Sequence, residues 1–320
     1  MTLTTHHLEF TAVAATPVEL DAQAGAQVRG ALVEALWGRF CANHAAPTCG
    51  ACPLLRVCPV AALIAPMREE GETGGEQRPR PYVVRPPDAP RRYDPGDSLR
   101  FQLGLFGPAA LLFPYVVMAA QGVAQGGMGR RLPENGGQRG ALRLTEIAAV
   151  SPLGTDRQIL YQSDQHHVQS PGLPVTAAEV VAAAEALPAD RLTLHFLSPL
   201  RLIERGQLMH TFALRPFVQR LKERLDQLVT AYGDGTTLPR LDFDALAEAV
   251  RVPHDATRWV DLVNYSSRQR RGLPLGGLVG AVTLAGDLPP SLRTLLVWGS
   301  LIHVGKNCVK GDGWYRIGVD

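Results

Sequence analysis

Two stretches of this chain hold residue types that do chemistry only in company. Cys41, Cys49, Cys52 and Cys58 fall in the spacing Cys-x7-Cys-x2-Cys-x5-Cys. A Cys-x2-Cys pair can set two thiolates on one metal through a tight turn, and two outer cysteines complete four ligands, as in structural zinc sites. Iron–sulfur ligation is the alternative, because thiolates suit both, and four unligated thiols are the plain reading. The second stretch runs from His303 through Gly305, Lys306, Cys308, Lys310, Gly311, Asp312 and Gly313 to Trp314. Its glycines permit positive φ and leave amide groups open, while Lys306 and Lys310 add charge, so the expected ligand is a polyanion such as a phosphate backbone. An ordinary turn before a last strand competes with that reading. Cys308 is assigned to packing.

Two arginine groups extend the same theme. Arg268, Arg270 and Arg271 lie within four residues, and Arg130 and Arg131 follow the glycines at 126, 127 and 129. Guanidinium groups bind phosphate in a bidentate way and stack on bases, whereas a solvated basic hairpin tip needs no ligand. The cationic face of the 212–232 helix alternates with acidic residues and reads as a solvent face.

Repeating elements must position these groups. Alternating apolar and β-branched residues predict strands over 7–14, 81–85, 98–106 and 142–150, with helices over 24–40 and 109–124. Val28, Ala31, Leu32, Ala35 and Leu36 give the first helix its apolar stripe. The second half predicts strands over 191–203, 259–265, 278–284 and 314–319, helices over 212–232 and 291–302, and a short helix over 241–250. Each half has the order βαββαβ, and each runs a late helix into a Gly-plus-basic segment. That order makes the chain an α+β protein of tandem ferredoxin-like (RRM-like) domains, an architecture that often meets RNA. The expected division is an N-terminal domain over 1–150 with the Cys-rich insertion at 41–58, a linker over 151–190 containing a helix at 177–187, and a C-terminal domain over 191–320 bearing the Gly-rich loop.

Composition sets outer bounds. The 320 residues are 46% hydrophobic, enough for two cores, and the formal net charge of +2 means that contact with nucleic acid must come from local clusters. No apolar run approaches the ~18 residues of a membrane span, and the first residues lack the basic and apolar regions of a signal peptide, so a cytoplasmic protein with no membrane partner is expected. Cysteine density in such a compartment favours a metal over disulfides.

The segment Gly25 to Leu32, the four cysteines with Cys58-Pro59-Val60, the stretch Tyr265 to Gly280, and His303 to Ile317 together resemble the CRISPR repeat-processing endoribonucleases of the RAMP superfamily, in a subfamily with four cysteines after its first helix. The resemblance covers both halves and leaves the linker and 68–97 without counterpart. It implies cleavage of precursor CRISPR RNA within its repeats to make guide RNAs, by 2′-hydroxyl attack that requires no metal. CRISPR repeat RNA and other CRISPR effector subunits are the implied partners; the alternative is a non-catalytic RAMP subunit that holds guide RNA in an interference complex. Such a cut needs a base, an acid and a group that stabilises the phosphorane charge. The family often sets its general-base histidine just after the first helix, where His44 stands. His303 beside the Gly loop is the rival, with Lys306 for the phosphorane. The RNA-binding set is then Gly305, Lys306, Lys310, Gly311, Gly313, Arg268, Arg270, Arg271, Arg130 and Arg131.

Overall fold

The computed structural model describes residues 2–68, 77–87, 91–165, 167–266 and 271–318. It divides into two compact units, one of Thr5–Pro174 and one of Val175–Asp320 joined by Met1–Thr4.

In the N-terminal unit the elements are β1 (Thr5–Ala14), α1 (Ala24–Phe40), α2 (Pro59–Ile64), β2 (Tyr82–Arg85), β3 (Ser98–Phe106), α3 (Phe113–Gly126), β4 (Leu142–Val150) and β5 (Arg157–Gln162). The antiparallel sheet runs β2-β3-β1-β4-β5. Leu8, Phe10, Ala12 and Ala14 alternate along one buried face of β1, the period-2 pattern of a sheet covered on that side. Phe10 lies opposite Phe101 with rings stacked at 4.9 Å. Val28, Ala31, Leu32 and Leu36 of α1 are buried, so its stripe is the core-facing one, and removing one such leucine would cost about 2–5 kcal/mol. α3 ends at Gly127, whose φ of +72° and approach to the Arg139 and Gly140 carbonyls leave no room for a side chain.

The C-terminal unit repeats the scheme with α4 (Ala177–Glu185), β6 (Arg191–Leu200), α5 (Leu214–Tyr232), α6 (Phe243–Ala249), β7 (Val250–Asp255), β8 (Arg258–Val260), the hairpin β9 (Val263–Ser266) and β10 (Arg271–Pro274), β11 (Gly277–Gly286), α7 (Pro290–Ile302) and β12 (Tyr315–Gly318). Its sheet runs β7-β11-β6-β12, with β8 also on β11. Omitting β5 and β8, both sheets have the order of the ferredoxin-like βαββαβ fold, with the first strand between the third and the fourth. Phe196, Phe212, Phe217 and Tyr315 form a ring cluster at centroid distances of 5.4–5.9 Å. The Tyr315 hydroxyl donates to the Leu296 carbonyl at 2.6 Å. It leaves room only for a glycine at 299, because a Cβ there would collide with that hydroxyl and with Leu221.

Several expectations are corrected. The second strand of the C-terminal sheet is Val250–Asp255 instead of the 259–265 segment: α6, capped by Asp242, ends at Ala249 and the chain enters the strand at the next residue. The 151–190 segment is no linker. β5 pairs with β4, and α4, which begins with a capping box at Thr176 and Glu179, is tied to α7 by Arg293 Nη1 donating to the carbonyls of Ala184 at 2.9 Å and Leu187 at 2.8 Å. The basic segment after α3 is also ordered, as a strand over Met128–Leu132 paired with Gln138–Gly140.

Candidate functional site

The Gly loop begins where α7 stops. His303 caps the helix in the left-handed region at φ +62°, its N–H donating to Gly299 at 2.9 Å. From there the loop is sewn to the end of β6 and to itself. Lys306 N–H donates to the Arg201 carbonyl at 3.0 Å, Gly313 N–H to Pro199 at 2.9 Å, and Trp314 N–H to Ser198 Oγ at 2.8 Å. Gly311 and Lys310 N–H groups turn back onto Cys308 at 3.0 Å and Asn307 at 2.7 Å. The glycines serve this packing. A Cβ on Gly313 would collide with the Val304 carbonyl, and one on Gly305 would come within 2.5 Å of the Arg201 carbonyl, both at positive φ. The expectation that glycine amides meet a phosphate is therefore corrected for Gly311 and Gly313, whose N–H groups are spent inside the protein. Lys306 is exposed and Lys310 half-buried, so the loop offers cationic side chains.

His303 is fully buried, its ring stacked on Trp314 at 6.3 Å and 14°. A ring without exposed surface cannot take a proton from an RNA hydroxyl, and the geometry makes it a brace for the loop. His44 is different. It is exposed in the segment after α1, with its ring edge-on to half-exposed Trp37 at 4.2 Å.

The four cysteines, none of them in a disulfide and each partly exposed, lie in that same segment. Cys49 and Cys52 share one 3₁₀ turn, which Cys49 opens and Cys52 closes, while Cys41 caps α1 and Cys58 caps α2. Asn43 Nδ2 donates to Cys52 Sγ at 3.7 Å. Among the described residues no three His, Cys, Asp or Glu side chains gather to hold a metal ion.

The arginines divide. Arg130 pairs with Glu19 at 2.8 Å, and Arg131 donates to Gly137 O and Gln138 Oε1, both at 3.3 Å. The first is thus already neutralised. Arg268 and Arg270 lie outside the described residues; Arg271 opens β10 opposite Ser266.

Three residues of the site were invisible in sequence. Arg224 on α5, read as solvent-facing, donates through Nε to the Ile302 carbonyl at 2.8 Å and so closes the C-terminus of α7. Arg201 donates to the Gly276 carbonyl at 2.8 Å. Asp312, between Gly311 and Gly313, is 6% exposed, and its Oδ2 has no hydrogen-bond partner. Burial pushes its carboxyl up to about 8, against the opposing pull of an Asn307 hydrogen bond and of Lys310 and Arg201. Cys308, buried beside it with Sγ 3.3 Å from the Gly305 carbonyl, has its thiol pushed up by burial as well. An aspartate framed by two glycines in a basic loop was the one signal the sequence held.

Family comparisons agree with this architecture. Residues 194–315 match the family model described as CRISPR-associated endoribonuclease Cas6, and residues 3–173 match one described as an N-terminal domain. No curated protein matches the sequence. Among solved structures, the chain is similar to Thermus thermophilus Cas6 at 13% identity and a TM-score of 0.53, with 99% of each chain covered. A Cas6 product complex gives 14% and 0.54, covering 98% of this chain and 99% of that one. A partial Cas6-RT-Cas1–Cas2 complex gives 12% and 0.57, covering 99% of this chain but 46% of that one, so the chain spans less than half of that larger protein. These structural likenesses carry the tandem ferredoxin-like fold. The family model thus spans β6, α5, α7 and the Gly loop, and residues 194–315 form a domain of the CRISPR-associated endoribonuclease Cas6 family.

Proposed function

We propose that this protein is an endoribonuclease that cleaves precursor CRISPR RNA within its repeats to release guide RNAs. The observation that carries the reading is the Cas6 endoribonuclease match over residues 194–315, the segment that builds the second ferredoxin-like sheet and presents Lys306 and Lys310. Chemically, the two lysines contact phosphate and Lys306 offsets the charge of the phosphorane. His44 acts as general base on the 2′-hydroxyl, being the exposed histidine of the two candidates. Repeat RNA is the substrate and other CRISPR proteins are partners, in line with the product complex and the Cas1–Cas2 assembly of the structural relatives. None of the described helices is long and apolar enough to cross a membrane, and we place the reaction in the cytoplasm. Burial of His303 favours a second reading, a non-catalytic RAMP subunit that retains guide RNA, since it removes one of two candidate bases.

The deciding experiment is incubation of the protein with repeat RNA in EDTA. A product ending in a 2′,3′-cyclic phosphate is expected; tight binding without a cut selects the non-catalytic subunit. His44→Ala should slow the single-turnover rate by roughly 10²–10⁴-fold, the usual contribution of a general base, and an unchanged rate would take His44 out of the mechanism. Lys306→Ala with Lys310→Ala should weaken RNA binding and lower the slope of log K against log salt by about 1.4–1.8 for two lost phosphate contacts. A slope equal to wild type would place the RNA elsewhere.

The cysteine segment belongs to the four-cysteine subfamily reading, with zinc as the ligand and an iron–sulfur cluster as the alternative. Its turns would have to close for the thiols to converge, and the metal would then stabilise the loop carrying His44 without entering the reaction. Elemental analysis of anaerobically prepared protein should find about one zinc, or iron with sulfide, per chain. Finding neither returns the cysteines to plain loop residues.

A further inference from the structure

Trp37 has no part in the cleavage scheme above, yet it touches the residue on which that scheme turns. Among the described residues the large apolar side chains left exposed are aliphatic except for Trp37, which is 45% exposed. Trp298 and Trp314 are buried, and Trp259 is half-buried with its indole N–H donating to Asp261 at 2.7 Å. An indole left in water forgoes the burial that ordinarily repays so large a side chain. One such residue on a surface means little by itself; its neighbours give it meaning.

Trp37 follows Leu36, the last buried position of the α1 stripe, and so stands outside the core. The helix end that carries it is fixed. Cys41 N–H donates to the Trp37 carbonyl at 3.1 Å, and Phe40 packs edge-on against Tyr115 of α3 at 5.0 Å. His44 meets the indole edge-on, at 4.2 Å and 86°, and such a contact covers at most one face of a planar ring. The surroundings are one-sided in charge. From Ala35 to Arg68 the chain holds Arg39, Arg56 and Arg68 and not one acidic residue, and Arg39 and Arg56 are exposed. Glu34, one turn before Trp37, is paired with Arg139 at 2.7 Å. An exposed aromatic ring on a cationic surface is the arrangement that holds single-stranded nucleic acid, since every base offers a face to stack and every link a phosphate to attract. Leu54 and Val57 of the same segment are also exposed and would suit a protein partner, but the unopposed arginines favour a polyanion.

We propose that Trp37 is a stacking platform for one nucleobase of the repeat RNA, that of the nucleotide whose 2′-hydroxyl is presented to His44. This placement rests on the reading of His44 as general base. The ribose hangs from the edge of the base, so a base fixed on the indole confines its own 2′-hydroxyl to the neighbourhood of the imidazole. Stacking on an aromatic face is tolerant of base identity, whereas a base inside a duplex has both faces covered. Trp37 therefore selects an unpaired nucleotide and not a particular letter.

The experiment uses the full chain and repeat RNA from the source organism's CRISPR array, with 2′-deoxy sugars to prevent cleavage. Abasic sites are placed through the repeat one nucleotide at a time, and Kd is measured for wild type, Trp37→Phe and Trp37→Ala. At one position wild type should lose roughly 5–150-fold, the usual worth of one stacked base. Trp37→Ala should bind intact RNA that much more weakly and lose nothing further at that position, while Trp37→Phe keeps most of the effect. Losses that simply multiply at every position overturn the proposal. So does Trp37→Ala with unchanged RNA affinity but an altered mass in sedimentation of the RNA-free protein, which would put the ring in a protein interface. Wild type alone gives a check free of any folding defect: RNA carrying 5-iodouracil at successive positions is irradiated and the adduct mapped by mass spectrometry. An adduct on Trp37 at one nucleotide supports the proposal, and adducts on other residues only overturn it. Mapping the product of unblocked RNA tests the nuclease reading separately. If the protein cuts, the coupled nucleotide should be the one that carries the new 3′ end, and coupling elsewhere only overturns the proposal. If it binds without cutting, one coupled nucleotide supports the platform and the nuclease reading falls alone.

Discussion

The Gly loop depends on its attachment to the end of β6. Ser198, Pro199 and Arg201 accept three hydrogen bonds from Trp314, Gly313 and Lys306, each of which contributes about 0.5–1.5 kcal/mol. They hold in register a segment that otherwise contains several left-handed residues. The proline makes this possible. It sits where pairing with β11 shifts between Phe196 and Leu200, at a point where β6 can do without an N–H and its carbonyl is turned to the loop instead of to a neighbouring strand. The distortion in β6 and the compactness of the loop are one feature. Arg224 completes it from α5 by closing the last turn of α7 immediately before His303.

Buried aromatic rings carry this order into the core. Tyr315 follows the loop directly, enters the cluster of Phe196, Phe212 and Phe217, and hydrogen-bonds the backbone of α7. The loop is therefore braced at both ends by packed elements: His303 and Trp314 stack across its base while Tyr315 anchors its exit. Such a loop presents charge from a fixed platform, which suits phosphate recognition better than a floppy tether, because less side-chain and backbone freedom is lost on binding.

The sequence disclosed much of this where local pattern decides. The α1 stripe at Val28, Ala31, Leu32 and Leu36 and the alternation in β1 are read directly from hydrophobic spacing, and the two-fold βαββαβ order follows from them. What stayed hidden was set by partners distant in the chain. Val250–Asp255 begins at the residue after a helix with no turn residue between, so nothing local marks the strand. Arg157–Gln162 is polar at half of its positions and lacks a clean alternation, and only pairing with β4 makes it part of the sheet. The role of Gly313 could not be guessed, since the Val304 carbonyl that excludes a side chain there is brought in by the fold of the loop. Arg224 shared its helix with Arg220 and Lys222, which pair with Glu223 and Asp226, and spacing alone could not single it out. The cysteines are the converse case: their spacing suggests a shared ligand, yet only Cys49 and Cys52 share a turn, while Cys41 and Cys58 cap different helices.

Because the amides of Gly311 and Gly313 are consumed within the protein, shape and charge in this loop are separable. The glycines answer to carbonyls of their own chain and tolerate almost no replacement, while the exposed ammonium group of Lys306 faces outward. A lineage could thus retune the charge it shows by exchanging Lys306 alone, with the scaffold beneath left untouched.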